Sequence, residues 1–532
     1  MSEKAFNLLQ EGWILAKRSD GAIELLSLLE VFRRAPQLHS LAGELPTQDF
    51  AVLRLLLAVL HASLGKREDG SYAAIAGAAA PRSPGLMKQR WKTLWDMGAF
   101  PLVCIDEYLL RYQEHFWLFH PTRPFYQIPS MDASTDYTAA KLNGVLSESG
   151  NKIRLFPQRA GEGKKALSFA EAARWLLYVN GFDDTSAKPT VRGLPSPGAG
   201  WIGQLGSVAA VGNNLFETLM LNLVFLPDGN DKMWDAENPT WKAEEAKSTE
   251  RTEIVIPNNP SQLLTMQSRR LLLKREEDAV IGYSLLGGDF LPKAEEVFNE
   301  QMTLWRKSPK KEAGKRDYSP RRHNPARQLW RDFSALVATN DGLRRPGVVS
   351  WLARLKSDGL NPVSFVHFQT AGVKYGDKDF FADDVVSDSL TFSASLLSDV
   401  QEIWRIRVLD QVQWTDQQVE KVAGLAQELA KAARDTAGLD EGSAAREQAY
   451  YRLDMLFRRW LSGLEPGEED DPEESCAAWQ KQVKTIIGDL GRDLVSQAGP
   501  QAFVGRLTKE NKKKYRYTAP EAYTRFLNRL SR

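Results

Sequence analysis

Cysteine is nearly absent from this chain of 532 residues, and the two present, Cys104 and Cys476, stand far apart. Two thiols supply neither a disulfide framework nor a four-cysteine zinc site, which excludes small stapled secreted scaffolds and points to a cytoplasmic location. Long apolar runs are missing too. Residues 55–60 follow Arg54 and residues 219–226 are interrupted by Asn222, so neither reads as the ~20 apolar residues of a membrane helix. Residues 1–4 carry charge but no apolar signal-peptide core. No membrane partner is expected. An excess of one charge is also lacking: the net charge is +1 and the pI 7.7, which excludes a histone-like or ribosomal protein but leaves room for a local basic patch.

Catalytic strings are missing as well. His39, His61, His115, His120, His323 and His367 form no H-E-x-x-H and have no Cys or carboxylate partner at ligand spacing, so metal chemistry has no donors to stand on. There is no G-x-S-x-G elbow and no Walker A lysine, which removes the familiar acyl-transfer and P-loop classes. The acidic run at 465–474 lacks the alternating ligands and sixth-position glycine of an EF-hand and reads as a solvated turn. No enzyme activity, metal or cofactor is expected.

What is present belongs to a folded globular protein, with 43% apolar and 26% charged residues, and the length suits two large domains or about three of ~150 residues. Residues 1–389 mix short apolar runs with Gly/Pro punctuation and long polar loops at 144–163, 185–206 and 228–259, which predicts a large irregular α+β domain with function in its loops. From 390 the pattern turns helical: Phe392, Leu396, Val400, Ile403 and Trp404 repeat at helical spacing. Thr415 with Gln418 reads as a capping box opening a second helix, a third runs through Leu453 to Gly463, and Asp471-Pro472 opens a fourth. The expectation for 390–532 is an antiparallel four-helix bundle.

Three segments carry candidate chemistry. Residues 198–203 (GAGWIG) match the G-x-G-x-x-G string of dinucleotide sites, but Pro195 and Pro197 just before it do not suit the central strand that such a site requires. A glycine loop that brings backbone close to a ligand is the better reading, with a nucleotide-cofactor enzyme as its rival. Residues 305–331 hold ten Lys/Arg against two acids, interleaved with Trp305, Tyr318 and Trp330, which suits phosphate contact with aromatic support. The run at 509–516 reads as a solvated linker. His120, followed by Pro121 and Pro124, reads as a loop histidine capping backbone. A purely structural interaction protein, with the basic segment as plain surface, is the second rival.

Taken in order, Phe6-Asn7-Leu8-Leu9 with Trp13-Ile14, HPTRPFYQ at 120–127, Gly144-Val145 with Asn151, the loop at 198–206, LFETLMLNL at 215–223, Pro239-Thr240-Trp241 and His323-Asn324-Pro325 resemble the CasA family, the large subunits of the type I-E CRISPR surveillance complex Cascade. The resemblance spans nearly the whole chain. It implies a non-catalytic subunit that reads the protospacer-adjacent motif (PAM) of double-stranded DNA from the minor groove, starts strand separation and recruits a helicase-nuclease. The implied partners are the backbone, small and guide-end-capping subunits, the guide RNA 5′ end, target DNA and the trans-acting helicase-nuclease. Gly198 and Gly200 match the family's glycine loop, where missing side chains would let backbone approach the groove floor. The groove lysine falls among Lys307, Lys310 and Lys311. The strand-separating wedge would be the turn at Gly376, Asp377 and Lys378, where family members carry a glutamine that this chain lacks. Asn151 anchors, and Phe156 supplies the aromatic of, the loop facing the guide end and the PAM. Some members hold a four-cysteine zinc site that is absent here.

Overall fold

The computed structural model describes residues 4–131, 134–142, 159, 161–185, 193–227, 232–254, 256–291, 300–307, 318–337, 344–434, 437–467, 471–510 and 513–531. The mixed α and β composition expected from the sequence is what the chain folds into, as two compact units.

The first unit comprises residues 1–327, 338–362 and 367–389. Its central helix, Pro46–Leu64, starts on Pro46 at a position where the missing N–H costs nothing, and nearly every side chain in it is buried. By length and composition this helix could cross a membrane, but 94% of it is buried within the unit. Helix Phe169–Phe182 is fixed at its start by Ser168 and Glu171, which form a reciprocal capping box. Around these helices lie small antiparallel sheets. Strand Ala279–Gly287 pairs with Arg269–Glu276, Thr135–Thr138 and Leu167–Ser168. Strand Phe365–Tyr375 lies between Ala382–Ser393 and Ser207–Val211, with His367 opposite Val211 and Ala371 opposite Ser207. A short hairpin pairs Trp305–Lys307 with Tyr318–Pro320.

The second unit comprises residues 328–337, 363–366 and 390–532. It thus takes in a stretch well before 390, because Trp330 is fully buried there, stacked on Phe457 at 4.2 Å with its indole N–H donating to Asp454 at 2.9 Å. Two helix expectations are corrected. Phe392 lies in strand Ala382–Ser393 and Leu396 in a single 3-10 turn, Ala394–Leu397, so no helix spans them. Thr415 and Gln418 cap nothing: helix Glu402–Ala433 runs straight through them for 32 residues, and Thr415 turns inward to accept a 3.0 Å hydrogen bond from the Trp479 indole. Helices Leu439–Ser462 and Pro472–Ser496 follow, the latter capped by Asp471 with Pro472 in its first turn. The fourth long packing partner is Ala519–Ser531, whose Phe526 sits where a Cβ on Gly491 would have to be. Trp460 stacks on Trp479 with ring centroids 5.6 Å apart, and Phe457 meets both edge-on at 5.3 and 5.2 Å.

Of the segment 509–516, read above as a linker, the described residues 509–510 and 513–516 are strand instead: Arg506–Glu510 pairs antiparallel with Lys513–Tyr517.

Candidate nucleic-acid interface

The glycine loop is built from below by one buried arginine. Arg269 opens its strand at 2% exposure and donates to five oxygens: the Asp183 carboxylate at 2.5 Å, and the carbonyls of Ser268 (2.8 Å), Asp183 (3.1 Å), Asp184 (3.1 Å) and Gly198 (2.7 Å). A guanidinium has five N–H donors and no way to shed its charge, so its burial is tolerable only where a carboxylate and carbonyls answer it. The next residues are tied as firmly. The Gly200 N–H donates to the Asp183 carbonyl at 2.8 Å and the Trp201 N–H to the Ser268 hydroxyl at 3.1 Å. The Trp201 indole reaches Glu300, itself held bidentately by Arg54 at 2.8 and 2.9 Å.

This geometry corrects the reason given for Gly200. It is buried, and a Cβ there would collide with the Gly181 carbonyl and the Phe182 N–H, so glycine is required by the protein's own backbone and not by a ligand. Gly198 is the exposed glycine of the pair, with only the Gln204 amide within 4 Å of a would-be Cβ. Nor is the string a dinucleotide cradle: 193–197 is turn and coil, and a three-residue 3-10 turn, Ile202–Gln204, follows instead of a helix.

From the loop a continuous set of hydrogen bonds leads to the other candidates. Leu304 N–H donates to the Gly206 carbonyl at 2.9 Å, and Arg321 N–H to the Leu304 carbonyl at 2.9 Å. These bonds place the hairpin Trp305–Lys307/Tyr318–Pro320 directly beside the loop. Trp305 is buried under it, whereas Arg306 and Lys307 are exposed. His323 contacts the Ser207 carbonyl at 2.9 Å. Arg322 then grips the second hairpin: its two terminal nitrogens lie 2.8 Å from the two Asp379 oxygens, and its guanidinium sits 4.9 Å above the Tyr375 ring.

The turn expected at 376–379 is a hairpin tip between strands Phe365–Tyr375 and Ala382–Ser393. Lys378 and Asp379 both have left-handed backbone, φ +52° and +60°, which costs energy for any residue with a side chain. The cost is offset by anchoring from both sides. Thr185 donates from its N–H to the Asp379 carbonyl at 2.8 Å and from its hydroxyl to the Lys378 carbonyl at 2.9 Å, and the Tyr375 hydroxyl donates to the Phe182 carbonyl at 2.6 Å. Burial holds that phenol well above its ordinary pKa, so it stays a donor. Asp377 and Lys378 are left exposed at the tip.

The structure therefore joins Gly198, Lys307 and the tip at Gly376, Asp377 and Lys378 in one framework. Asn151, Phe156, Lys310 and Lys311 lie outside the described residues. Sequence reasoning missed the framework's own members, Arg269, Asp183, Thr185, Arg322 and Tyr375. The signal for Arg269 was an Arg-Arg pair entering an apolar strand (RRLLL), an odd place for two charges. His120 behaves as read, its Nδ1 accepting from the N–H groups of Thr122 and Arg123. Among the described residues no group of three or more His, Cys, Asp or Glu side chains is placed to hold a metal ion.

A family model described as CRISPR-associated protein Cse1 matches residues 7–490. CRISPR-associated protein CasA/Cse1 from Thermus thermophilus is 28% identical over 344 residues, a match covering 64% of this chain and 62% of that protein's length. The crystal structure of Thermobifida fusca Cse1 is similar throughout, at 32% identity and a TM-score of 0.84 over 99% of this chain and 97% of the other. A chain from a structure described as a CRISPR RNA-guided surveillance complex shares the fold, with a TM-score of 0.72 at 17% identity over the full length of both.

Proposed function

This chain belongs to the CRISPR-associated protein Cse1 family, and from that premise we propose that it is the non-catalytic DNA-reading subunit of a type I-E CRISPR surveillance complex. In this reading guide RNA pairs with the target while the protein reads the PAM. Gly198 offers an open backbone edge to the minor groove, Lys307 contacts the adjacent backbone or groove, and the tip at 376–379 meets the first base pairs to be parted. The bundle of residues 390–532 and the surrounding surface dock the other subunits, the guide RNA 5′ end and the helicase-nuclease, all within the cytoplasm.

The observation that carries the reading is the shared framework: a reader loop and a wedge act in concert only if neither shifts against the other. Arg322 meets that requirement by tying the tip to the segment that pairs beside the loop. The absence of glutamine at the tip leaves steric wedging by a rigid, left-handed turn, with Lys378 able to meet phosphate.

Gly198→Asp is the clean test, because its new side chain enters open space while the same change at Gly200 would break the loop from inside. In the assembled complex, gel shifts on cognate and mutated PAM duplexes should show loss of PAM-dependent binding by Gly198→Asp with assembly intact. Lys307→Gln should flatten the slope of log affinity against log salt by ~0.9, one phosphate contact. PAM preference unchanged in both variants would refute the reading and favour a purely structural role.

A further inference from the structure

We propose that Gln204 is the residue of the glycine loop that reads base identity: its side-chain oxygen accepts a hydrogen bond from the 2-amino group of guanine in the minor groove, so that one base pair of the PAM is G·C or C·G. The inference rests on the PAM reading above and deepens it by assigning that site a class of base pair.

Gln204 closes the 3-10 turn Ile202–Gln204 and is exposed beside Gly198, with its amide nitrogen 3.8 Å from where a Cβ of Gly198 would stand. That nitrogen donates to the Ala199 carbonyl at 2.7 Å. A carbonyl only accepts, so the atom facing it is Nε2, and the amide cannot turn over without losing the bond. Oε1 is thereby fixed as the half of the amide with no partner among the described residues. The backbone beneath is equally fixed. The Gln204 N–H donates to the Trp201 carbonyl at 3.1 Å, and Gly203 packs so closely on the Tyr375 hydroxyl that a Cβ would overlap it. Tyr375 is the ring on which Arg322 sits, so the acceptor is held in register with both the loop and the wedge tip.

Every base pair shows acceptors to the minor groove, and only G·C adds a donor, the guanine 2-amino group. Donors such as Arg306, Lys307 and Lys378 therefore find a partner at any pair and cannot tell pairs apart. Discrimination needs an acceptor. Around Gly198 the backbone acceptors are already engaged: the carbonyls of Pro195, Gly198 and Ala199 accept from Arg251, Arg269 and Gln204. The exposed Ser196 hydroxyl both donates and accepts, so it suits either class of pair. Asp377 at the tip is an acceptor, but its charge is repelled between two rows of phosphates. Oε1 of Gln204 is neutral and fixed in place, and opposite A·T it would face lone pairs with neither side satisfied.

The test is a set of gel shifts with the assembled complex. Each pair flanking the target is changed in turn from G·C to inosine·C, which deletes only the 2-amino group, and from A·T to 2,6-diaminopurine·T, which adds one. At one position inosine should weaken binding at least ~5-fold and diaminopurine should strengthen it by a similar factor, with G·C and C·G bound alike. Gln204→Met, close in shape but without the amide, should bind guanine and inosine duplexes equally, with assembly confirmed by size exclusion. Lys307→Gln should keep the inosine effect. If Gly198→Asp abolishes PAM-dependent binding while the parent is indifferent to inosine at every position, or while Gln204→Met stays sensitive to it, Gln204 is not the reader and the PAM reading stands without it. PAM preference unchanged in both Gly198→Asp and Lys307→Gln removes the two together.

Discussion

In the first unit the irregular segments are held by ion pairs buried on both sides, whereas in the second the regular helices pack on aromatic rings, and the buried Arg405 meets, at 3.9 Å, only carboxylates that are themselves exposed. Arg54, Arg269 and Arg270 are each no more than 2% exposed and are answered by Glu300, Asp183 and Asp289. The second unit places Trp330, Phe457 and Trp479 at its centre, all at most 1% exposed. The difference follows from where backbone hydrogen bonds go. Helices satisfy their own carbonyls, so apolar faces are enough to pack them; a coil such as 193–200 leaves carbonyls that something buried must satisfy. A guanidinium gathers several at once, and the loops that present Gly198 and the 376–379 tip inherit its geometry. Loop precision here depends on charge, and bundle stability on volume.

The comparison is tested most severely by removing one member on each side. Arg269→Met leaves Asp183 buried without its partner and strips the Gly198 carbonyl of its donor, a change expected to cost ~3–5 kcal/mol. Denaturant unfolding measures it, and proteolysis at residues 193–200 should rise ahead of global unfolding. Trp330→Ala empties the space against Phe457 and should also cost ~3–5 kcal/mol, but with the loop's protease resistance unchanged. If Arg269→Met proves as stable as the parent, buried charge is not what holds the loop.

These two residues also mark where sequence was readable. Stretches whose structure is settled by neighbours in the chain could be read directly: Asp471-Pro472 as a helix start, the turn at 376–379 as a hairpin tip, His120 as a backbone cap. Thr415 and Gln418 show the limit, since the same four-residue pattern that caps an exposed helix start serves on the buried face of a longer helix, and only Trp479 decides between them. Arg269 and Arg322 were hidden because arginine is ordinarily a surface residue and their partners lie 86 and 57 residues away. Gly200 was visible as a required glycine, but the demand came from Gly181, packed against it in space.

A milder way to separate the units is pH. Burial raises the Glu237 carboxyl from its ordinary 4.5 to about 7 and lowers His61, 3.6 Å away, from 6.5 to about 3. Because folded Glu237 binds its proton more tightly than the unfolded chain does, acidifying from pH 7 towards 4.5 favours the folded first unit through this group. His61 acts oppositely: the unfolded chain gains its proton near pH 6.5 and the folded one does not. In Glu237→Gln the favourable contribution is gone, so its unfolding midpoint should fall further behind the parent's as pH drops from 7 to 5. In the second unit, Cys476 is pushed up to about 11 and Glu420 is held below its ordinary value by Arg446, so both lie outside that window. A gap between parent and variant that narrows on acidification would contradict the assignment.

The smallest expected effect is the surface counterpart of Arg269. Arg446 grips Glu420 bidentately at 2.7 and 2.9 Å, as good a geometry as any buried pair in the chain. Yet the two side chains are 33% and 58% exposed, so water already solvates both charges and little is gained by bringing them together. Arg446→Gln should cost under ~1 kcal/mol, less in high salt, since the pair is screened over a Debye length of ~10 Å at 0.1 M. A double-mutant cycle with Glu420→Gln at two salt concentrations isolates the pair. A coupling above ~2 kcal/mol, insensitive to salt, would mean that the second unit also relies on charge, and the contrast between the units would then reduce to helix content alone.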